Sequence, residues 1–155
     1  SARRRRAYAT RKLTSIMQSM ALESHACKPL FECFLDAVAA FGRDWELVED
    51  QNGQPQNYGQ LLRMSLALSR LLRRCTAPRE NVGVLMPNVI ASIGVVMGLS
   101  ASGRVPAIFN YSAGALGVES AAVAAGVRTV ITSRRFIEQG KLHALLEALP
   151  GCTIM

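Results

Sequence analysis

Three short apolar runs, beginning near residues 82, 105 and 127, divide the second half of the chain, and the stretches between them carry helical patterning. The first run, residues 81–86, is too short and too uniformly apolar for a half-exposed strand, so it reads as a strand buried on both faces. Pro87 has no N–H to extend it, and Asn88 is the predicted N-cap of a helix over 89–102. That helix is apolar on nearly every side. Gly94 and Gly98 each cost it about 1 kcal/mol against Ala, which points to a close backbone approach there. Gly103 suits the left-handed position past a helix end. The cycle then repeats: a strand at 105–109, a helix at 113–125 capped by Ser112 and ended by Gly126, a strand at 127–132, and mostly helix over 134–149. The order βαβαβα specifies an α/β fold with a parallel sheet and right-handed crossovers.

Upstream, residues 30–41 place Leu30, Phe31, Phe34, Leu35, Val38 and Phe41 at helical spacing and end at Gly42. A strand at 45–48, a turn at Gln51-Asn52-Gly53 and a second short strand reaching Tyr58 form a predicted hairpin. An amphipathic helix over 59–74 follows. The character of the chain changes near residue 27, so 28–155 reads as the domain and 1–27 as a basic tail or linker. Within the tail, Leu13, Ile16, Met17 and Met20 share one helical face. Two readings stand: a helix packed on a neighbouring domain, or an amphipathic basic helix lying on an anionic membrane surface through residues 1–23. A mitochondrial targeting peptide fits the composition, with the missing initial Met against it. Beginning at Ser1, the chain is expected to be a piece of something longer.

Half of the 155 residues are apolar, enough for a real core and for one domain or part of one. The formal charge of +7 is concentrated in Arg3 to Arg6, Arg11 and Lys12, and the remainder is near balance. That excludes a nucleic-acid-binding surface spread over the fold. Residues 81–118 carry a single charge, Arg104, yet Pro87-Asn88 and the Ser and Gly of 98–103 interrupt the roughly 20 apolar residues that a membrane span needs. Cys27, Cys33, Cys75 and Cys152 form no C-x-x-C pair, and neither His25 nor His143 sits at ligand spacing from them. Free thiols in a reducing compartment, with no metal site, is the expectation. No Ser, His and acid set suggests a nucleophilic triad. The turn after the first strand is Pro-Asn, so a dinucleotide site, which needs Gly-x-Gly-x-x-Gly, is disfavoured.

The residues at the joints are distinctive: Tyr58-x-x-Leu61, Val82-Gly83-Val84-Leu85-Met86-Pro87-Asn88, Gly98-x-x-Ala101-Ser102-Gly103-Arg104-Val105-Pro106-Ala107, and Gly126-x-x-Thr129-Val130-Ile131-Thr132. Over residues 28–150 this order resembles the N-terminal part of the adenylate-forming superfamily of acyl-CoA synthetases, luciferases and peptide-synthetase adenylation domains. Arg104 to Ala107, Asn110 to Gly114 and Thr132-Ser133-Arg134-x-Phe136-Ile137 look most like one branch. In that branch a lysophospholipid acyltransferase is joined to an acyl–acyl carrier protein synthetase, and the segment Ile16-Met17-Gln18-x-x-Met20 is similar to the end of its acyltransferase half.

The resemblance implies, for the parent protein, ATP- and Mg²⁺-dependent activation of a fatty acid to an acyl-adenylate. The acyl group then passes to the thiol of acyl carrier protein or CoA, and onward to a lysophospholipid at the cytoplasmic face of a bacterial inner membrane. The family's Ser/Thr/Gly-rich phosphate loop with its Lys does not occur in these 155 residues, nor does the acyltransferase His-x₄-Asp pair. The fragment alone is therefore expected to bind no cofactor and catalyse nothing. Arg134 and Arg135 lie at a predicted helix N-terminus, where the macrodipole disfavours cations. Related acyl-CoA synthetases hold the CoA nucleotide with basic residues just after the equivalent strand. Arg134, Arg135 and Lys141 are accordingly candidates for docking the thiol donor, against a reading as a solvated charged face. Asn110, Tyr111, Ser112 and Gly114 follow a parallel strand's C-terminal end, where α/β folds place ligands, or they make only a turn and a cap. An ordinary acyl-CoA synthetase and a membrane-surface or interaction module are the alternatives.

Overall fold

A computed structural model describes residues 28–49 and 55–155. The tail helix within 1–27 and the turn at 51–53 lie outside the described residues.

Helix α1 (Leu30–Phe41) ends at Gly42 as its pattern predicts. Strands β1 (Glu46–Glu49) and β2 (Pro55–Asn57) pair antiparallel. Helix α2 (Tyr58–Leu72) starts at Asn57, whose side chain accepts the Gln60 N–H at 2.8 Å while the Gln60 side chain accepts the Asn57 N–H at 2.9 Å. This reciprocal cap satisfies two otherwise orphaned amides. Strands β3 (Asn81–Leu85), β4 (Val105–Ile108), β5 (Thr129–Thr132) and β6 (Thr153–Ile154) form one parallel sheet in the order β4-β3-β5-β6. Between them lie α3 (Ile90–Ala101), α4 (Gly114–Ala124), α5 (Arg134–Gly140) and α6 (His143–Glu147). The parallel α/β reading therefore holds, and β3 is buried along Val82, Gly83, Val84 and Leu85.

Because successive strand residues face opposite sides, the sheet has two cores. Val82, Val84 and Ile131 meet Leu72 of α2 and Val95 and Leu99 of α3 on one face. Leu85, Phe109 and Val130 meet Val118, Ile137 and Leu145 from α4, α5 and α6 on the other. A third cluster packs α1 over α2 through Phe31, Phe34, Tyr58 and Leu61, with Phe41 stacked on Tyr58 at 5.9 Å between ring centroids.

Four details differ from the sequence reading. The cap of α3 is Val89 and not Asn88, and no side chain caps it; the Ser92 hydroxyl instead donates to the Pro87 carbonyl at 2.5 Å. Asn110, not Ser112, caps the segment after β4, which opens as a 3₁₀ turn over Tyr111–Ala113. Residues 134–149 break into two helices because Lys141 adopts a left-handed conformation, φ 52°, and ends α5 there. Strand β6 was not foreseen; the Thr153 N–H bonds the Arg128 carbonyl at 2.8 Å and seats it beside β5.

The predicted close approach at Gly94 and Gly98 is present. A Cβ on Gly98 would lie 2.9 Å from the Ser65 carbonyl oxygen and 3.1 Å from the Ser69 nitrogen of α2. At Gly94 the neighbours are atoms of flexible side chains and not backbone, Met64 Cε at 3.0 Å and Cγ at 3.1 Å and Leu68 Cδ1 at 3.2 Å. Gly98→Ala should therefore destabilise the chain, because overpacking costs about 1–3 kcal/mol against roughly 1 kcal/mol of helix propensity gained. Gly94→Ala should be near neutral, and urea midpoints for the two variants check the contrast.

Tyr58 is buried, and loss of solvent pushes its phenol above the ordinary value of 10.0. The unfolded phenol ionises first, so this group's contribution is intact below pH 10 and is lost as pH rises through the folded value. Tyr58→Phe should flatten the alkaline arm of a stability profile measured between pH 8 and 11.

Candidate functional site at the carboxyl ends of the parallel strands

The chain leaves β3 toward α3 on one face of the sheet, and leaves β4 and β5 toward α4 and α5 on the other. Adjacent strands whose exits diverge open a crevice at their carboxyl ends, the usual ligand position in open α/β sheets. Between β3 and β4 a cavity of about 250 Å³ is lined by Val84, Met86, Pro87, Asn88, Ser92 and Ile108, among others. A second, of about 320 Å³, shares Asn88, Ser92 and Ile93 with it and reaches Val48 and Glu49 of β1. Together they form a mainly apolar trough across the start of α3. Its polar groups are the exposed Glu49 carboxylate at the β1 end, the exposed Asn88 amide and the Ser92 hydroxyl, which is already bonded to Pro87.

Across the sheet, a cavity of about 420 Å³ lies at the carboxyl ends of β5 and β6, with Thr132, Arg134, Glu138, His143, Ile154 and Met155 on its walls. The Thr132 hydroxyl donates to the Leu85 carbonyl at 2.7 Å and so ties this rim to β3. Arg134 borders the cavity, and Arg135 is exposed beside it in sequence. Lys141 is not with them. It follows the seven-residue α5, about 10 Å away along the axis, at the helix end where the macrodipole favours a cation.

The loop after β4 is built around Asn110. Its Oδ1 accepts the Ser112 N–H at 3.0 Å and the Ser112 hydroxyl at 2.7 Å. Gly114 follows with φ 74°, and Tyr111 meets Phe136 of α5 edge to face at 5.2 Å. Asn110, Tyr111 and Ser112 are thus drawn toward the opening of α5, as parts of a turn whose polar groups satisfy one another.

Sequence reasoning missed the trough and the His143 side of the second cavity. The trough's signal was present in Pro87-Asn88, where a buried strand stops abruptly. His143 gave none, because β6 and the break at Lys141 place it. Among the described residues no group of three or more His, Cys, Asp or Glu side chains is gathered to hold a metal ion, so no Mg²⁺ ligands are assigned. No described helix is long and apolar enough to cross a membrane.

No family model matches the chain. Its fold is that of solved adenylate-forming enzymes. VinN superposes with a TM-score of 0.68 at 22% identity, covering 82% of this chain and 31% of that one. The nonribosomal peptide synthetase FmoA3, solved with α-methyl-L-serine-AMP, gives 0.67 at 24% identity, over 83% and 14%. A benzoate CoA ligase from Burkholderia xenovorans LB400 gives 0.65 at 20% identity, over 82% and 25%. The chain therefore spans less than a third of each of these enzymes, and its architecture is that of their N-terminal subdomain.

Replacing Asn110 with Ala removes the acceptor for both Ser112 donors, and such caps contribute about 1 kcal/mol. Asn110→Ala should lower the urea midpoint accordingly while Asn110→Asp, which keeps an acceptor, restores most of it. Equal losses in the two variants would show that the turn does not depend on this cap.

Proposed function

We propose that these residues are the N-terminal part of the adenylating half of an ATP-dependent fatty acid–acyl carrier protein ligase, joined to a lysophospholipid acyltransferase that precedes it. The observation that carries the reading is the sheet order β4-β3-β5-β6 with the Pro87-Asn88 stop at its central strand, in the fold of enzymes that include a CoA ligase and adenylation domains. The branch is supported by the residues at the joints, Arg104 to Ala107, Asn110 to Gly114 and Thr132 to Ile137.

In this reading a fatty acid carboxylate attacks the α-phosphorus of ATP and releases pyrophosphate, and a thiol then displaces AMP from the acyl-adenylate. ATP and Mg²⁺ are held by parts of the parent outside these residues. The residues described here supply one rigid wall. The trough beyond β3 and β4 is apolar, as a surface beside an acyl chain requires. Arg134 and Arg135, with Lys141 just past the end of α5, are the proposed contacts for an acidic carrier protein, and Asn110 to Gly114 are the proposed rim beside them. The parent works at the cytoplasmic face of a bacterial inner membrane, where its lysophospholipid substrate resides.

The test is ligation by the polypeptide expressed from its natural reading frame, with ATP, Mg²⁺, a long-chain fatty acid and either holo-acyl carrier protein or CoA. Acyl-carrier-protein formation, seen as a gel shift, is the expected result. Thioester formation on CoA alone would leave an ordinary acyl-CoA synthetase, and no adenylate trapped by hydroxylamine from any carboxylate would end the ligase reading. Reversing the charge of Arg134, Arg135 and Lys141 in the same polypeptide should raise the KM for carrier protein at least tenfold with kcat little changed. An unchanged KM would remove these residues from the docking surface.

A further inference from the structure

Between Asn57 and Glu80 the chain has five arginines and no acidic residue, whereas in the rest of residues 28–155 acids outnumber Lys and Arg by ten to seven. The balanced composition of the domain therefore conceals a local surplus, carried by α2 and the turn that follows it: Arg63 and Arg70 lie on the helix, and Arg73, Arg74 and Arg79 come after its end. Leu61, Ser65, Ser69 and Leu72 are its buried side. Arg63 and Arg70, seven residues apart, fall on one line along the opposite, solvent side, and the exposed Arg74 follows in the turn two residues past the helix end. From Arg63 to Arg70 the helix rises about 10 Å. Leu66 and Leu71 lie on the line's two shoulders, 46% and 57% exposed, and the exposed Arg73 flanks Leu66. None of these guanidinium groups meets a carboxylate among the described residues. Residues 1–27 hold six Lys and Arg against one acid, so their composition brings almost no opposite charge to this ridge.

We propose that the outer face of α2 is a docking surface for an anionic phospholipid bilayer. Guanidinium forks match phosphate oxygens in pairs, and the arginine stems run along apolar surface while their heads stay at the interface. The flanking leucines then reach the acyl boundary. Phospholipid supplies the phosphate and the apolar layer together, which a nucleic acid does not. A bilayer also meets a convex helix along its whole length without needing a complementary groove. The inference rests on the charge and packing of α2 and not on the ligase reading, so either can fail without the other.

The test is co-sedimentation of the 155-residue chain with vesicles of phosphatidylglycerol and phosphatidylcholine, and with vesicles of phosphatidylcholine alone. Binding should require phosphatidylglycerol and weaken with salt. Each basic residue near such a surface is worth about fivefold in partitioning, so the variant combining Arg63→Gln, Arg70→Gln and Arg74→Gln should bind at least tenfold more weakly with its tail intact. As a measurement needing no variant, anionic vesicles should protect Arg63, Arg70 and Arg74 from phenylglyoxal and leave Arg128 reactive. The proposal is overturned if the triple variant binds like the unaltered chain while neutralising Arg3 to Arg6 abolishes binding, because the tail alone would then be responsible. It is equally overturned if the chain binds an oligonucleotide or holo-acyl carrier protein but not vesicles, or if vesicles leave the ridge arginines unprotected.

Discussion

Five residues, Asn81 to Leu85, carry hydrogen bonds to β4 along one edge and to β5 along the other, and their side chains enter a different core on each face. Every neighbour of this strand is constrained by it. Gly83 is a consequence, since a Cβ there would lie 2.7 Å from the Phe109 ring and 3.0 Å from Val130. Polar side chains secure its two ends. At the entry the Thr129 hydroxyl bonds Glu80 at 2.6 Å and the Asn81 amide donates to the Ala125 carbonyl at 2.7 Å. At the exit Thr132 bonds the Leu85 carbonyl. The crevice at the carboxyl ends exists because this fixed strand stops at Pro87 while its neighbours turn toward the other face.

The layer of α2 and α3 is set by a second constraint, a seam of small residues. Gly94 and Gly98 of α3 face α2, where Ser65 is fully buried and its hydroxyl bonds back to the Leu61 carbonyl at 2.8 Å. Backbones meeting this closely leave each helix little room to rotate, so the side of α2 turned to solvent is determined by the side that fits α3. The arginine line is where it is because the glycines are where they are. Arg104 pins the far end of the same layer. Buried, it donates to the Thr76 hydroxyl at 3.1 Å and to the Thr76 carbonyl at 2.7 Å, and also to the Ser102 carbonyl. The one charge in a long apolar stretch is thus a brace between the end of α2 and the start of β4.

What the sequence disclosed was local and periodic. Leu30–Phe41 was legible to the residue because its apolar spacing and Gly42 agree, and β3 because a uniform apolar run has few other uses. The errors came where two signals competed or where tertiary contacts decided. Asn110 and Ser112 are both good caps, and only the structure shows the first accepting from the second. Residues 134–149 carry a continuous helical pattern, and only the structure shows Lys141 taking the left-handed position that divides it. Strand β6 is two residues long and owes its existence to the edge of β5. The seam was half visible: glycines in a helix attract notice, while Ser65 and Ser69 look like ordinary polar positions. Of the candidate site, Arg134 borders a cavity at a strand's carboxyl end, Asn110 and Ser112 are joined in a turn, and Lys141 is separated from Arg134 by a helix length that pattern alone does not measure. The charge on α2 escaped notice because a domain-wide sum averages it away.

Among the described residues β4 is the last strand of the sheet, and its outer edge has an unequal chemistry. The amides of Val105 and Phe109 turn inward to the carbonyls of Glu80 and Val84, so alternation turns Pro106 and Ile108 outward. Pro106 offers a carbonyl but no N–H, leaving Ile108, 72% exposed, as the strand's outward donor. A chance neighbour needing two donors in succession finds one, so the edge resists indiscriminate strand addition. The proline in the second position of β4 thus does for the sheet what a charge or a bulge does elsewhere: it leaves the outer edge rich in acceptors and poor in donors.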